Sequence, residues 1–381
     1  MTQQPLPVIP RPHTDPLLAK LMELEGSDMY ITVGVPASVR ISDRIIALSE
    51  SPMQDEDLEN ILSEVLTDEQ RQEFEATMEF NLPLTWEDNS RFRINIFRQQ
   101  QHVGMVIRRI QKDIPTLEQL KLPKVYGELS MENRGLILIV GPTGSGKSSS
   151  MAAMVGHRNQ HGYGHIVTIE DPIEFVHQHG NCIITQRDVG VDTFSFSMAL
   201  KNTLRQRPDV VLIGEIRDKE TLEHAIHFSE TGHLCVSTLH AGNVTQALER
   251  IVNFFPAEKY TQLLYNLSQN IKAIIGQRLV QTVDNKRHVV HEIMLNRGLI
   301  RTLIQEGKFK EIHELMAKNI NEGMMTFDQS LFHLFEQKVI TEEVAVAESD
   351  NPANLRLQIR QAHPGRASHM FALRPQGNSE F

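Results

Sequence analysis

The stretch "GLILIVGPTGSGKSSSMAAMV", residues 135–155, constrains this chain more than any other. Leu136 to Val140 are apolar, bounded, and of strand rather than helix length. Gly141-x4-Gly146-Lys147-Ser148 follows at once, and the residues after it suit a helix. Glycines let backbone N–H groups curl around phosphates, and a helix N-terminus adds the positive end of a dipole. The candidate contacts are Gly141, Thr143, Gly144, Ser145, Gly146 and Ser149, with Lys147 reaching the β- and γ-phosphates and Ser148 offering a hydroxyl to Mg²⁺. A plain glycine-rich turn would not need all four motif positions and both flanks to be correct. The expectation is an α/β domain that binds a nucleoside triphosphate with Mg²⁺.

Hydrolysis needs acids near the phosphates. "DVVLIGEIRD", residues 209–218, reads as a second buried strand running into Glu215. Such strands often carry an Asp for the metal just before the Glu, but here that position is Gly214. Another acid must replace it. "HIVTIEDPIEF" supplies one: a strand from His165 to Ile169 runs into Glu170 and Asp171, and Pro172 stops it. Acids at the ends of neighbouring strands fall where open α/β sheets bind ligands. Glu215 is assigned to polarise the attacking water, and Glu170 to Mg²⁺ or its water shell. Glu174 reads as a turn cap, and Asp171 is open between the two roles.

The remaining features set limits. The chain has 381 residues and a net charge of −10, which disfavours a general nucleic-acid surface. Its two cysteines, Cys182 and Cys235, exclude a disulfide scaffold and a four-cysteine zinc cluster. "MTQQPLPVIPRPHTDP" lacks a signal pattern, and no apolar run is long enough to span a membrane. A cytoplasmic chain is expected. Residues 1–14 read as a flexible tail, 15–112 as a small α+β domain with a hairpin in "SRFRINIFRQQQHVGMVIRRI", and 113–121 as a linker. The stretch "DEDLENILSEVLTDEQRQEFEAT" reads as helical. The nucleotide domain takes 122–291, a helical region 292–362, and a mobile tail 363–381.

His233, Cys235 and His240 crowd into "ETGHLCVSTLHAGN". The stretch alternates and is apolar enough for a strand beside the phosphate-loop strand. Imidazoles there suit phosphate sensing or coupling, a purely structural role, or metal binding. Zinc would need further ligands, and nothing nearby offers an obvious set. Cys235 reads as a small core residue.

Together "GPTGSGKSSS", "TIEDPIEF", "RQRPDVVLIGEIRD" and "TGHLCVSTLHAGN" resemble the Walker A, Asp box, Walker B and His box of the secretion ATPase superfamily, in that family's order. The type IV pilus retraction motors of the PilT/PilU group are the most similar branch. "SDMYITVG", "RFRINIF" and "GMMTFDQSL" extend the resemblance over about residues 15 to 345. It implies an N-terminal PAS-like domain, a RecA-like P-loop ATPase domain with C-terminal helices, and a homo-hexamer that hydrolyses ATP. It also implies that His233 and His240 lie near the nucleotide and the adjoining subunit. Arg93 and Arg108 match arginines that approach the nucleotide in the family, while "RQQQHVG" departs from the family between them.

A family motif reading "AIRNLI" corresponds here to "LIRTLI", residues 299–304, with Leu299 and Thr302 departing. That change, and the chain beyond the last family-like helix, favour a PilU-like accessory motor. Implied partners are a second retraction ATPase and an inner-membrane pilus platform protein, with the chain peripheral at the pilus base. A nucleotide-gated regulatory subunit that hydrolyses little is the alternative, and a DNA motor is disfavoured by the charge and by the Asp and His boxes.

Overall fold

Short apolar runs separated by polar turns organise the chain, and in the computed structural model they divide it into two compact units. The structure describes residues 10–41, 44–86, 90–110 and 113–363.

The first unit takes residues up to 114 together with 170–178 and 186–198. Its elements are α1 (Asp15–Glu23), β1 (Asp28–Thr32), β2 (Ser38–Ile41), β3 (Arg44–Ala47), α2 (Asp55–Val65), α3 (Asp68–Thr77), β4 (Glu79–Thr85), β5 (Arg91–Gln99) and β6 (His102–Ile110). The strands form an antiparallel sheet in the order β3-β2-β1-β6-β5-β4. Alternation along β5 buries Phe92, Ile94 and Ile96, which pack with Leu18, Leu21, Leu58, Ile61 and Phe74 of the helices. The opposite face carries Arg91 and Arg93. The helical stretch after residue 54 is two helices, because Thr67 caps α3 in a reciprocal capping box with Gln70. Residues 10–14 of the expected N-terminal tail are ordered: Thr14 is buried, and its hydroxyl and N–H donate to Glu64. Residues 1–9 of that tail, and 364–381 of the C-terminal one, lie outside the described residues.

The second unit takes 115–169, 179–185 and the chain from 199 onward. Its elements begin with α4 (Val125–Ser130), β7 (Gly135–Val140), α5 (Lys147–His161) and β8 (Gly164–Glu170), whose last residue enters the first unit. Then come β9 (Cys182–Asp188) and α6 (Phe196–Thr203), each divided between the two units, followed by β10 (Val210–Ile213), α7 (Lys219–Glu230), β11 (Leu234–Leu239), α8 (Val244–Asn253) and α9 (Tyr260–Asn270). The chain closes with β12 (Ile271–Gln281), β13 (Arg287–Leu295), α10 (Leu299–Gln305), α11 (Phe309–Lys318), α12 (Phe327–Glu336), α13 (Glu342–Ala347) and α14 (Pro352–Ala362).

The strands of this sheet run β13-β12-β7-β11-β10-β8-β9. Neighbours from β12 to β8 are parallel, and β13 is antiparallel to β12. β7, β10 and β11 are buried throughout, as strands covered on both faces must be, so they read as continuous apolar runs. The chain is therefore a mixed α/β protein. The antiparallel hairpin β12–β13 was not legible as such: its apolar run is interrupted by buried Gln277, His291 and Glu292.

Candidate active site

Because β7, β10 and β11 are parallel, their C-terminal ends share one edge, and each hands the chain to a functional group there. β7 runs into the glycine loop. Gly141, Gly144 and Gly146 have φ of 157°, 78° and 88°, a region that side chains disfavour. A Cβ at Gly141 would also stand 2.4 Å from the Gln277 carbonyl oxygen and 2.5 Å from Ser145 Oγ. α5 starts at Lys147, so the N-terminal turn of that helix opens onto the loop.

Lys147 is buried, and its Nζ donates to the carbonyls of Gly141 at 3.0 Å and Pro142 at 2.8 Å. Ser145 Oγ is buried without a hydrogen-bond partner among the described residues. An orphan hydroxyl, a lysine turned onto its own loop and a helix N-terminus fit an incoming phosphate chain. A cleft of about 610 Å³ opens beside Gly146, Ser149 and Ser150. Leu120, Leu279, Val283 and Val289 give it an apolar wall on which an aromatic base can lie. These lining residues were missed from sequence, since they come from two distant stretches, around 120 and from 279 to 289, and share no motif.

Glu215 follows β10. Its backbone is pinned on both sides: Thr238 Oγ1 donates to the Gly214 carbonyl at 2.7 Å, and Ile216 N–H donates to the Thr238 carbonyl at 2.9 Å. The carboxylate is 16% exposed and divides its oxygens between two cationic or polar partners. Oε1 accepts from Arg217, and Oε2 lies 3.4 Å from His240 Nε2. His240 sits just past the end of β11, at the same edge of the sheet as the glycine loop.

His233 is different. It precedes β11, at the opposite edge of the sheet, where Gly135 N–H donates to its carbonyl. Its Nδ1 lies 3.2 Å from the Phe228 carbonyl and 3.1 Å from Thr231 Oγ1, and its ring stands edge-on to Phe228. The intervening strand spans roughly 20 Å at about 3.3 Å per residue. Within one chain the two histidines therefore stand at opposite ends of β11 and cannot share a metal ion. Cys235 lies buried inside β11, where desolvation pushes its thiol pKa up.

Arg93, Arg108 and Glu170 belong to the first unit. Arg93 and Arg108 are direct cross-strand partners in the β5–β6 register, so both side chains leave the same face. Arg93 lies 3.9 Å from Asp171, and its charge also acts on Asp188, whose carboxyl burial raises. Arg108 Nε donates to Asp28 at 2.7 Å, and that bond raises the guanidinium pKa. Glu170 ends β8, and its Oε1 accepts from Gln186 Nε2 at 3.4 Å. Ser148 stands in the first turn of α5. No helix among the described residues is long and apolar enough to cross a membrane.

Comparison with known proteins gives a consistent pattern. Residues 18–363 match the family model described as type II/IV secretion system protein. The chain is 48% identical over 358 residues to the type IV pilus ATPase PilU of Pseudomonas aeruginosa, covering 94% of each chain. It is 36% identical over 338 residues to the retraction ATPase PilT of the same organism, covering 89% of this chain and 98% of that one. The crystal structure of the pilus retraction motor PilT with bound ADP matches with a TM-score of 0.83 at 37% identity, over 90% of this chain and 98% of that one.

Proposed function

This chain belongs to the type II/IV secretion system protein family and is an ATPase, and from that premise we propose that it is an accessory motor of type IV pilus retraction and twitching motility. The observation that carries the reading is Glu215, held at the phosphate-loop edge with His240 on one oxygen and Arg217 on the other. In this reading Lys147 leaves the Gly141 and Pro142 carbonyls for the β- and γ-phosphates of ATP. Glu215 accepts a hydrogen bond from water and aligns it; the water oxygen bonds to the γ-phosphorus, the bond to the β–γ bridging oxygen breaks, one water proton passes to a γ-phosphate oxygen, and ADP and inorganic phosphate leave. His240 holds Glu215 in that orientation. His233, at the far edge, is read as a contact toward an adjoining copy.

Mg²⁺ suits the donors offered, a Ser148 hydroxyl and the phosphates, with Glu170 in its water shell. When bound it offsets charge on the β- and γ-oxygens. Arg93 and Arg108 are proposed to serve the site by neutralising charge that builds on the γ-phosphate. The working assembly is a homo-hexamer of PAS-like and RecA-like domains. It acts with a second retraction ATPase on an inner-membrane platform protein, at the cytoplasmic base of the pilus. The test is to delete the gene and record pilus number and twitching. Piliated cells with impaired twitching agree with an accessory retraction motor; bald cells contradict it.

A further inference from the structure

β12 and β13 put two side chains against the loop that carries His240. Gly276 and Glu292 are cross-strand partners, and Arg278 follows Gly276 on the same face. A Cβ at Gly276 would lie 2.9 Å from the Phe327 ring and 3.2 Å from Glu292, so glycine there leaves room for both. Glu292 is 1% exposed, and its Oε2 accepts the N–H of Val244, the first residue of α8, at 2.7 Å. That oxygen satisfies one of the N–H groups that a helix leaves without an intrahelical partner at its N-terminus. Arg278 stacks on Phe327, its guanidinium carbon 3.9 Å from the ring centre. Its nitrogens donate to the Gly242 carbonyl at 3.4 Å, the Glu348 carbonyl at 2.9 Å and Asp350 Oδ1 at 2.7 Å.

The loop from His240 to Asn243 is therefore held twice from below, at Gly242 and at Val244. Its first residue is the one on Glu215. Ligand atoms of Glu292, His313 and Asp350 also lie within 4.8 Å of one another, a set that suits a metal ion. The Arg278 guanidinium already supplies positive charge to that cluster through Asp350, and this favours a structural clamp over a metal.

We propose that Arg278 and Glu292 are positioning residues for hydrolysis, clamping the 240–243 loop so that His240 stays on Glu215. The clamp makes that alignment depend on the C-terminal segment around Glu348 and Asp350. The proposal rests on the reading of His240 given above. It differs from a merely structural role in its predicted pattern: turnover falls while nucleotide affinity holds, and the loss is shared with His240.

The test is steady-state ATPase activity and ATP affinity of the full chain in Glu292→Ala, Glu292→Gln, Arg278→Ala, His240→Ala and the Glu292→Ala/His240→Ala double variant. Glu292→Ala and Arg278→Ala should each lower kcat by about tenfold with ATP affinity changed less than about twofold. Glu292→Gln should recover most of the rate, because its amide oxygen still accepts the Val244 N–H. The double variant should be no slower than His240→Ala alone. If His240→Ala is itself silent, the reading of His240 fails and takes the clamp with it. If His240→Ala is slow but the Glu292→Ala loss simply multiplies onto it, or is absent, the clamp alone is overturned. One zinc per purified chain, lost in Glu292→Ala, would also overturn it in favour of a metal site. Should Glu292→Ala not fold, Arg278→Ala alone and combined with His240→Ala makes the same comparison.

Discussion

The parallel strands β7, β10 and β11 and the antiparallel pair β12–β13 lie in one sheet but are built on opposite rules. In the parallel strands the interior is mostly aliphatic, and the groups proposed to act on the nucleotide stand where the chain leaves the sheet: the glycine loop, Glu215 and His240. In the antiparallel pair, polar side chains are buried within the strands themselves. Gln277 is fully buried, and its Nε2 donates to Tyr126 Oη and Ser150 Oγ, both at 2.7 Å. Tyr126 in turn lies 3.0 Å from His291 Nδ1. The next residue, Arg278, faces the other side and reaches the 240–243 loop. A buried polar group needs its partners to be tolerable, so the pair ties α5, α4, α8 and the C-terminal helices to fixed places. On the proposed reading the parallel strands present the reacting groups, and the antiparallel pair sets where their supports stand.

Breaking the presenting side should have the largest effect. Lys147→Ala removes the loop's dedicated cation, and calorimetry should find no tight ATP binding. Retained affinity would remove the phosphate loop from the site.

Breaking the supporting side should cost stability and leave affinity largely in place. Gln277→Ala strips a donor from both Tyr126 and Ser150, and leaving buried polar groups unpaired costs about 1–3 kcal/mol. Denaturant melts should show that loss, with ATP still bound. A neutral substitution would mean that the Gln277 bonds contribute little.

The two polar neighbours in β13 should respond to pH with opposite signs. Burial raises the Glu292 carboxyl from 4.5 to about 7, opposed by the Val244 N–H, with Asp350 and Asp328 raising it further and Arg278 lowering it. His313 also faces it. Its contribution is fully present below pH 4.5 and is lost as pH rises through about 7. Burial lowers His291 from 6.5 to about 3, so its contribution is present above pH 6.5 and is lost as pH falls towards 3. Glu292→Gln should therefore gain melting temperature relative to wild type between pH 5 and pH 8, by roughly a few degrees. An unchanged difference across that range would contradict the buried, proton-holding Glu292.

The smallest effect should come from outside both regions. Truncation after His363 should leave melting temperature and ATPase activity unchanged; lost motility with intact ATPase activity would make those residues a partner-binding element.

What could be read from sequence follows the same division. The phosphate-loop strand, Glu215 and the pairing of β11 beside β7 were legible, because continuous apolar runs with glycine or acid at their ends obey simple spacing rules. The Arg91–Ile110 hairpin was legible by alternation. The separation of His233 from His240 was not legible, because proximity in sequence hides the length of the strand between them. Gln277, Arg278 and Glu292 carried no local signal. A buried Gln or Glu in a strand looks like an error of pattern until its partners, far away in the chain, are in place.

The most direct test of the account is Glu215→Gln, measured for ATP binding and for hydrolysis on the same purified protein. The account predicts wild-type-like binding with turnover lowered by about 10²-fold or more, since the amide keeps the shape and loses the carboxylate that aligns water. Wild-type turnover in Glu215→Gln would contradict it.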